Sequence, residues 1–231
     1  MLNTSRQILI NNRWALLLFL LCMVVLISVP QIDLFIAGLF YDPLTQQFTY
    51  NSNPVIQFIY RLFAMIHIPI LLGLIFAGLM IRFNKLKLKN YRKWSITFLL
   101  TALILGPGLL VNTVLKDNSI GRARPVQVEN FGGDKQFTPA FVYSGACSKN
   151  CSFVSGHAAM GFYFMILGWL FSSRRAFWGG CMVGAVLGLT RIVQGGHFFS
   201  DVLFAFWAVY FVISLSGTLF GFRHPLHKEP R

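Results

Sequence analysis

Six apolar stretches, at about 14–30, 62–81, 95–115, 157–173, 177–193 and 199–219, constrain this chain more than any other feature of its sequence. A helix needs roughly 17–25 residues to cross a bilayer, and each stretch has that length or nearly so. Composition points the same way. Hydrophobic residues make up 55% of the chain, aromatic residues 16% and charged residues 12%, against about 25% charged in an average globular domain. A compact soluble fold of this size could not bury so much apolar surface and stay dispersed. Those numbers exclude a soluble enzyme, a disordered chain and a disulfide-stapled miniprotein. They predict an all-α fold, a single integral membrane domain over 1–231 built as a six-transmembrane-helix bundle. The first stretch is too long in its apolar core for a typical cleaved signal peptide and lacks a small-x-small exit, so it reads as a signal-anchor helix.

The net charge of +13 comes from 20 Lys and Arg against 7 Asp and Glu. Its placement reads as topology rather than nucleic-acid binding. With the N-terminus inside, 13 of the basic residues fall on the inner side and 7 on the outer, beside 6 of the 7 acids. The positive-inside tendency then puts both termini inside. Trp14, Trp94, Trp169 and Trp178 fall near inner helix ends, as an aromatic belt would place them, and the basic excess suits anionic lipid. The expected partners are therefore the phospholipid bilayer and no nucleic acid. Two outer segments stand apart. Residues 32–40 are apolar but short, and are expected to lie along the interface between helices 1 and 2. Residues 116–156 form the longest connection, rich in Gly, Pro, Asn and charge, the kind of loop that often carries function.

The unusual residues gather at one rim. The third helix runs outward to Lys116, followed by Arg122-Ala-Arg124-Pro125. The fourth opens with Ser155-Gly156-His157, the fifth ends at Arg191, and Gly195-Gly196 leads to His197 and Asp201. Lys116, Arg124 and Arg191 suit a phosphate, Arg as a bidentate fork and Lys as a point charge. Two helix N-termini add backbone N–H groups and positive dipole ends. Ser155 suits an N-cap or a hydroxyl ligand to phosphate. His197 and Asp201 are four apart and share a helical face, so the carboxylate can fix the imidazole tautomer. His157 is left to protonate a leaving oxygen. Arg122 reads equally as a snorkelling interfacial cation.

Other readings of these residues are weaker. His157, His197, Asp201 and the two loop cysteines could ligate zinc, but three crowded cations would repel it, so no cofactor is expected. Cys147 and Cys151 lie in the outer loop, where an oxidising compartment would let them form a disulfide bracing the approach to Ser155. Cys22 and Cys181 read as packing residues. His67, near Pro69, reads as a packed or kink-associated histidine; His224 and His227 read as solvated tail residues. A channel or transporter would place charge near the midplane, whereas here charge sits at the rim. A scaffold needs no such convergence, and a serine protease on Ser155 lacks a Gly-x-Ser-x-Gly elbow.

The combined pattern Lys116-x7-Arg124-Pro125, Ser155-Gly156-His157 and Arg191-x5-His197-x3-Asp201 resembles the three-part signature of the type 2 phosphatidic acid phosphatase superfamily, over roughly residues 33–205 including Leu39-Phe-Tyr-Asp-Pro43. The resemblance implies a six-helix membrane fold and a phosphohistidine intermediate. His197 would be the nucleophile, Asp201 its orienter and His157 the general acid. Lys116, Arg124, Ser155, Gly156 and Arg191 would bind phosphate. Val154 stands where many members have Pro, and Thr190 where many have Ser; neither removes a group the mechanism needs. Gly106-Pro-Gly-Leu-Leu-Val-Asn112, Gly132-Gly-Asp-Lys135, Cys147-Ser-Lys-Asn-Cys151 and Gln194-Gly-Gly-His197 are similar to the lipid A phosphatases of Gram-negative inner membranes, above all the 4'-phosphatases. That likeness implies a lipid A phosphate as substrate and a site facing the periplasm. The same parts also serve undecaprenyl pyrophosphate, phosphatidylglycerophosphate and lipid A phosphotransfer.

Overall fold

The structure is a computed structural model that describes residues 2–83 and 94–226, with side chains from residue 12 onward. The basic residues 85–93, Lys228 and Arg231, His227, and the side chain of Arg6 lie outside that description.

The chain is helical almost throughout, and its helices occupy the apolar stretches of the sequence. Helix α1 (Leu2–Ser28) stops short of Pro30, which has no N–H to donate and disfavours helix at the residue before it. Helix α2 (Gln31–Gly38) then turns away, the two being bent by 81°. The short apolar segment is thus a helix crossing the bundle end, and it buries Asp33 and Ala37 on its inner side. A two-residue hairpin follows, β1 (Tyr41–Asp42) pairing β2 (Gln47–Phe48) antiparallel with Tyr41 opposite Phe48. It is a small departure from the all-α expectation. Asp42 accepts from Leu44 N and Thr45 Oγ1, each at 2.9 Å, which closes its turn.

Helix α3 (Pro54–Met65) is capped by Asn53, whose Oδ1 accepts from Val55 N at 3.0 Å and Ile56 N at 3.3 Å, with Pro54 at the first position. It passes into α4 (His67–Arg82) through a break at Ile66. His67 sits at that break, so it is kink-associated but exposed rather than packed. Helix α5 (Ser95–Leu103) continues as a π-helix, Ile104–Lys116. Pro107 cannot donate within it, and side chains support the wider spacing. Asn112 Nδ2 donates to Pro107 O at 2.8 Å and Asn118 Nδ2 to Thr113 O at 2.7 Å, each five residues back.

Helices α6 (Gly156–Tyr163) and α7 (Ile166–Leu170) form the centre, surrounded by the π-helix, α8 (Arg174–Val193) and α9 (Phe199–Leu219). Nearly every residue of α6 is buried. Helix α1 packs on α9 through Phe19, whose ring lies edge-on to Phe204, Trp207 and Phe211. Among the described residues, four helical segments are long and apolar enough to cross a membrane, and a fifth if the bent α1–α2 pair is one span; α6–α7, at Gly156–Leu170, is shorter. The expectation of a solvated His224 is corrected. It is 6% exposed, 3.1 Å from the Tyr210 hydroxyl and edge-on to Trp169, because the chain after α9 folds back under the bundle.

Candidate active site

Four chain segments deliver the rim residues to one end of the bundle. Lys116 ends the π-helix, buried beside the start of α6: a Cβ at Gly156 would stand 3.4 Å from Lys116 Nζ and 2.7 Å from Asn112 Oδ1. Only a residue without a side chain lets these groups approach the helix end so closely. Ser155 caps α6, its Oγ accepting from Ala158 N at 3.4 Å, while its own N–H donates to Asp201 O at 3.0 Å and ties α6 to α9. Arg191 lies buried in the last turn of α8, where Nη1 donates to Gln194 Oε1 at 2.5 Å. The chain after α8 reverses through Gly195, at φ +66°, and Gly196, against which the Arg191 guanidinium packs directly. Arg124 is held by its own backbone N–H donating to Gln127 Oε1 at 2.9 Å, and its Nη2 donates to Asn150 O at 2.8 Å. Asn150 belongs to the loop spanned by Cys147 and Cys151, whose sulfurs are at bonding distance with Cα atoms 5.6 Å apart.

His197 is 1% exposed. Its Nδ1 is 2.7 Å from Ser152 O, and the carbonyl can only accept, so Nδ1 carries the proton and Nε2 keeps the lone pair. Asp201 Oδ2 is farther, 3.6 Å from Nδ1, and accepts from Ser152 Oγ at 2.5 Å and Phe198 N at 2.8 Å. The backbone of Ser152 is therefore the nearer partner of the ring. His157, the second residue of α6, stacks on Tyr60 with centroids 4.7 Å apart, and Tyr60 also faces Arg191, whose Cζ is 4.6 Å from the ring.

The site's field is strongly positive. Lys116, Arg124 and Arg191 lie near enough to repel one another, and all three act on His157. Burial lowers the Arg124 guanidinium from its ordinary value. Burial also pushes the His197 imidazole down to about 3, Lys116 and Arg191 adding to that against the pull of Asp201. His197 is thus neutral near pH 7. His157 Nε2 and Arg191 Nε are buried with no hydrogen-bond partner among the described residues. Arg191 Nε is a donor that an anion's oxygens would satisfy, and His157 Nε2 becomes another when the ring is protonated. No group of three His, Cys, Asp or Glu placed for a metal occurs among the described residues.

The structure brings Lys116, Arg124, Ser155, Gly156, His157, Arg191, His197 and Asp201 together, and gives places to residues to which sequence reasoning assigned no site role. Arg122 is fully buried and paired with Asp201 and Asp33, not a snorkelling cation. A signal for Asp33 existed, since it is the only acid among residues 1–41 and sits in an apolar run. Ser152 and Gln194 lie beside motif residues without a role being readable for them, and Tyr60 carried no mark.

Residues 94–224 match the model of the PAP2 superfamily. The chain belongs to that superfamily. Among curated proteins, the lipid A 4'-phosphatase of Francisella tularensis subsp. novicida is 43% identical over 192 residues, covering 78% of this chain and 82% of the relative. The lipid A 4'-phosphatase of Rhizobium etli is 42% identical over 110 residues, 45% of this chain and 41% of its own. A lipid A 1-phosphatase of Rhizobium etli is 36% identical over 114 residues, 49% and 45% of the two chains. No solved structure matches. This PAP2 protein is a membrane phosphatase acting on a phosphate monoester, and the cluster at the bundle end is its candidate active site.

Proposed function

We propose that this protein hydrolyses a phosphate monoester of lipid A, the 4'-phosphate, at the periplasmic face of the inner membrane through a phosphohistidine. The observation that carries the chemistry is His197, neutral and fixed by the Ser152 carbonyl with its Nε2 lone pair free, beside three cations. Lys116, Arg124, Arg191 and the N–H groups at the start of α6 grip the phosphoryl oxygens. His197 Nε2 attacks phosphorus in line, and the bond from phosphorus to the sugar oxygen breaks. His157 gives its proton to that oxygen, which leaves as the sugar hydroxyl. His157 then takes a proton from water as the water oxygen attacks phosphorus. The P–N bond breaks, inorganic phosphate leaves and His197 is restored. Asp201 supports the imidazole by its charge and through Ser152, whose hydroxyl donates to Oδ2 and whose carbonyl holds the Nδ1 proton. Uncatalysed monoester hydrolysis is so slow that enzymes supply up to ~10²¹-fold, most of it here from charge and position.

The choice of the 4'-phosphate rests on the names of relatives that match this chain and on the sequence resemblance. The same reading takes the chain as one domain with six spans, both termini cytoplasmic and the rim periplasmic. Removing the phosphate would lower the negative charge of the outer surface and weaken its hold on cationic peptides. The test is a mass spectrum of bis-phosphorylated lipid A after incubation with the purified chain, beside His197→Ala. Loss of one phosphate with the unaltered chain alone, placed by fragmentation at the 4' position, is the expected result. Phosphate released instead only from undecaprenyl pyrophosphate or phosphatidylglycerophosphate would overturn the substrate, and activity retained in His197→Ala would overturn the mechanism.

A further inference from the structure

Arg122 is 0% exposed, and each nitrogen of its guanidinium has a partner. Nε donates to Thr138 O, Nη1 to Asp201 Oδ1 and Ser200 Oγ, and Nη2 to Asp33 Oδ2, every distance 2.8 Å. Phe198 lies over it with the ring centroid 4.3 Å from Cζ, and Phe137 at 5.4 Å. Asp33, on α2, is equally engaged: Oδ1 accepts from Ser200 N at 2.8 Å and Oδ2 from Ser200 Oγ at 2.5 Å. A chain of three buried charges therefore runs from the crossing helix α2, through the 116–156 loop, to the first turn of α9. Buried ion pairs cost about as much to desolvate as they return, and apolar replacements of the same shape are often as stable. Stability alone does not account for placing three charges there.

Their geometry does. Arg122 occupies Asp201 Oδ1, and the remaining oxygen, Oδ2, is the one turned to His197 Nδ1, Ser152 Oγ and Phe198 N. We propose that Arg122 and Asp33 are positioning residues for His197: Asp33 anchors the guanidinium, and the guanidinium fixes Asp201 so that His197 Nε2 points at phosphorus. The inference rests on the reading of His197 as nucleophile. It also makes α2 part of the catalytic support rather than a mere interfacial anchor. The groups that act on His197 are Asp201 from α9, Lys116 from the π-helix and Arg191 from α8, with Arg122 balancing Asp201 from behind. Without Arg122, Asp201 faces the imidazole with an uncompensated charge, so protonation of His197 begins at higher pH.

The test uses the full chain in detergent, with rates on bis-phosphorylated lipid A across pH. Arg122→Met is made together with Asp33→Asn, which leaves the trio at a net charge of −1, as in the unaltered protein (−1, +1 and −1 becoming 0, 0 and −1). The expected result is a drop in kcat of about ten- to a hundredfold, the usual cost of losing a supporting partner, with KM little changed. The acid limb of the kcat/KM profile moves upward in pH. Arg122→Lys keeps the charge but loses the fork; it serves equally if the double variant does not fold, and is expected to keep the acid limb in place while kcat still falls. Unaltered kcat in Arg122→Lys, or a folded double variant with both kcat and acid limb unmoved, overturns the proposal. Full activity in His197→Ala would instead show that the nucleophile reading had failed, leaving Arg122 nothing to position.

Discussion

Gly196→Ala separates binding from folding at this site. A Cβ at Gly196 would overlap the Arg191 guanidinium, standing 2.6 Å from Cζ and 3.1 Å from Nε. Arg191 is buried and bonded to Gln194, so the guanidinium cannot simply swing into water. It must shift, and overpacking of this kind costs about 1–3 kcal/mol. Losing its charge-assisted contact to a phosphoryl oxygen costs a further ~1.5–3 kcal/mol. The second figure alone converts to a fall in kcat/KM of roughly ten- to a hundredfold. Gly196 is not among the glycines with positive φ, so alanine meets no left-handed backbone there. Gly195 is the internal contrast, with φ +66° and the Phe48 ring against its missing side chain. Gly195→Ala is expected to lower the thermal midpoint, whereas Gly196→Ala strikes phosphate release more than the midpoint. The assays are initial rates of phosphate release and thermal unfolding in the same detergent. Normal kcat/KM in Gly196→Ala would refute the placement of Arg191 at the phosphate.

Three further outcomes follow from the same geometry. Tyr60→Leu removes the ring stacked on His157 and facing Arg191; it should cost about 1–2 kcal/mol in kcat/KM, with Tyr60→Phe near normal, as steady-state rates will show. Cys147→Ser frees the loop whose Asn150 carbonyl holds Arg124; up to about tenfold loss of kcat/KM is expected, matched by reductant on the unaltered chain, and equal rates with and without reductant would sink the idea. His197 is held neutral down to about 3 when folded, against about 6.5 unfolded. Below pH 6.5 the unfolded chain therefore binds a proton that the folded chain refuses. The contribution of His197 to stability is full above that pH and falls by about 1.4 kcal/mol per pH unit towards pH 3. His197→Gln should flatten that slope in denaturant midpoints measured between about pH 6 and 4; an unchanged slope counts against a buried neutral imidazole.

Much of the architecture was legible before any fold was known. The apolar stretches locate the helices because burial in lipid acts on each segment separately, through its own length and polarity. The rim residues were legible too, since each sits at a helix end that the apolar pattern marks: Lys116, Ser155 to His157, Arg191 and Asp201. Resemblance then supplied their roles. The π-helix was not legible, because its wider bonding depends on Asn112, Thr113 and Asn118 reaching back to carbonyls five residues away. Nor was the burial of His224, which is set by Trp169 and Tyr210 on other helices.

Arg122 and Arg124 show where local information ends. They are two residues apart in the same loop and of the same type; the Pro125 that follows Arg124 marks it out through the motif, but nothing in the neighbourhood of Arg122 says what it does. In the fold, Arg122 turns inward to meet Asp33 and Asp201, 89 and 79 residues away. Arg124 turns to the mouth of the site and takes the Asn150 carbonyl. Length, hydropathy and helix ends are properties of a segment and its solvent, so the sequence alone determined the helical membrane fold and the rim where the candidate site lies. That Arg122 pairs with Asp33 and Asp201 is a matter of three-dimensional charge pairing in a desolvated interior. Only the tertiary structure decided that, because the partners of a buried charge come from wherever the packed chain puts them.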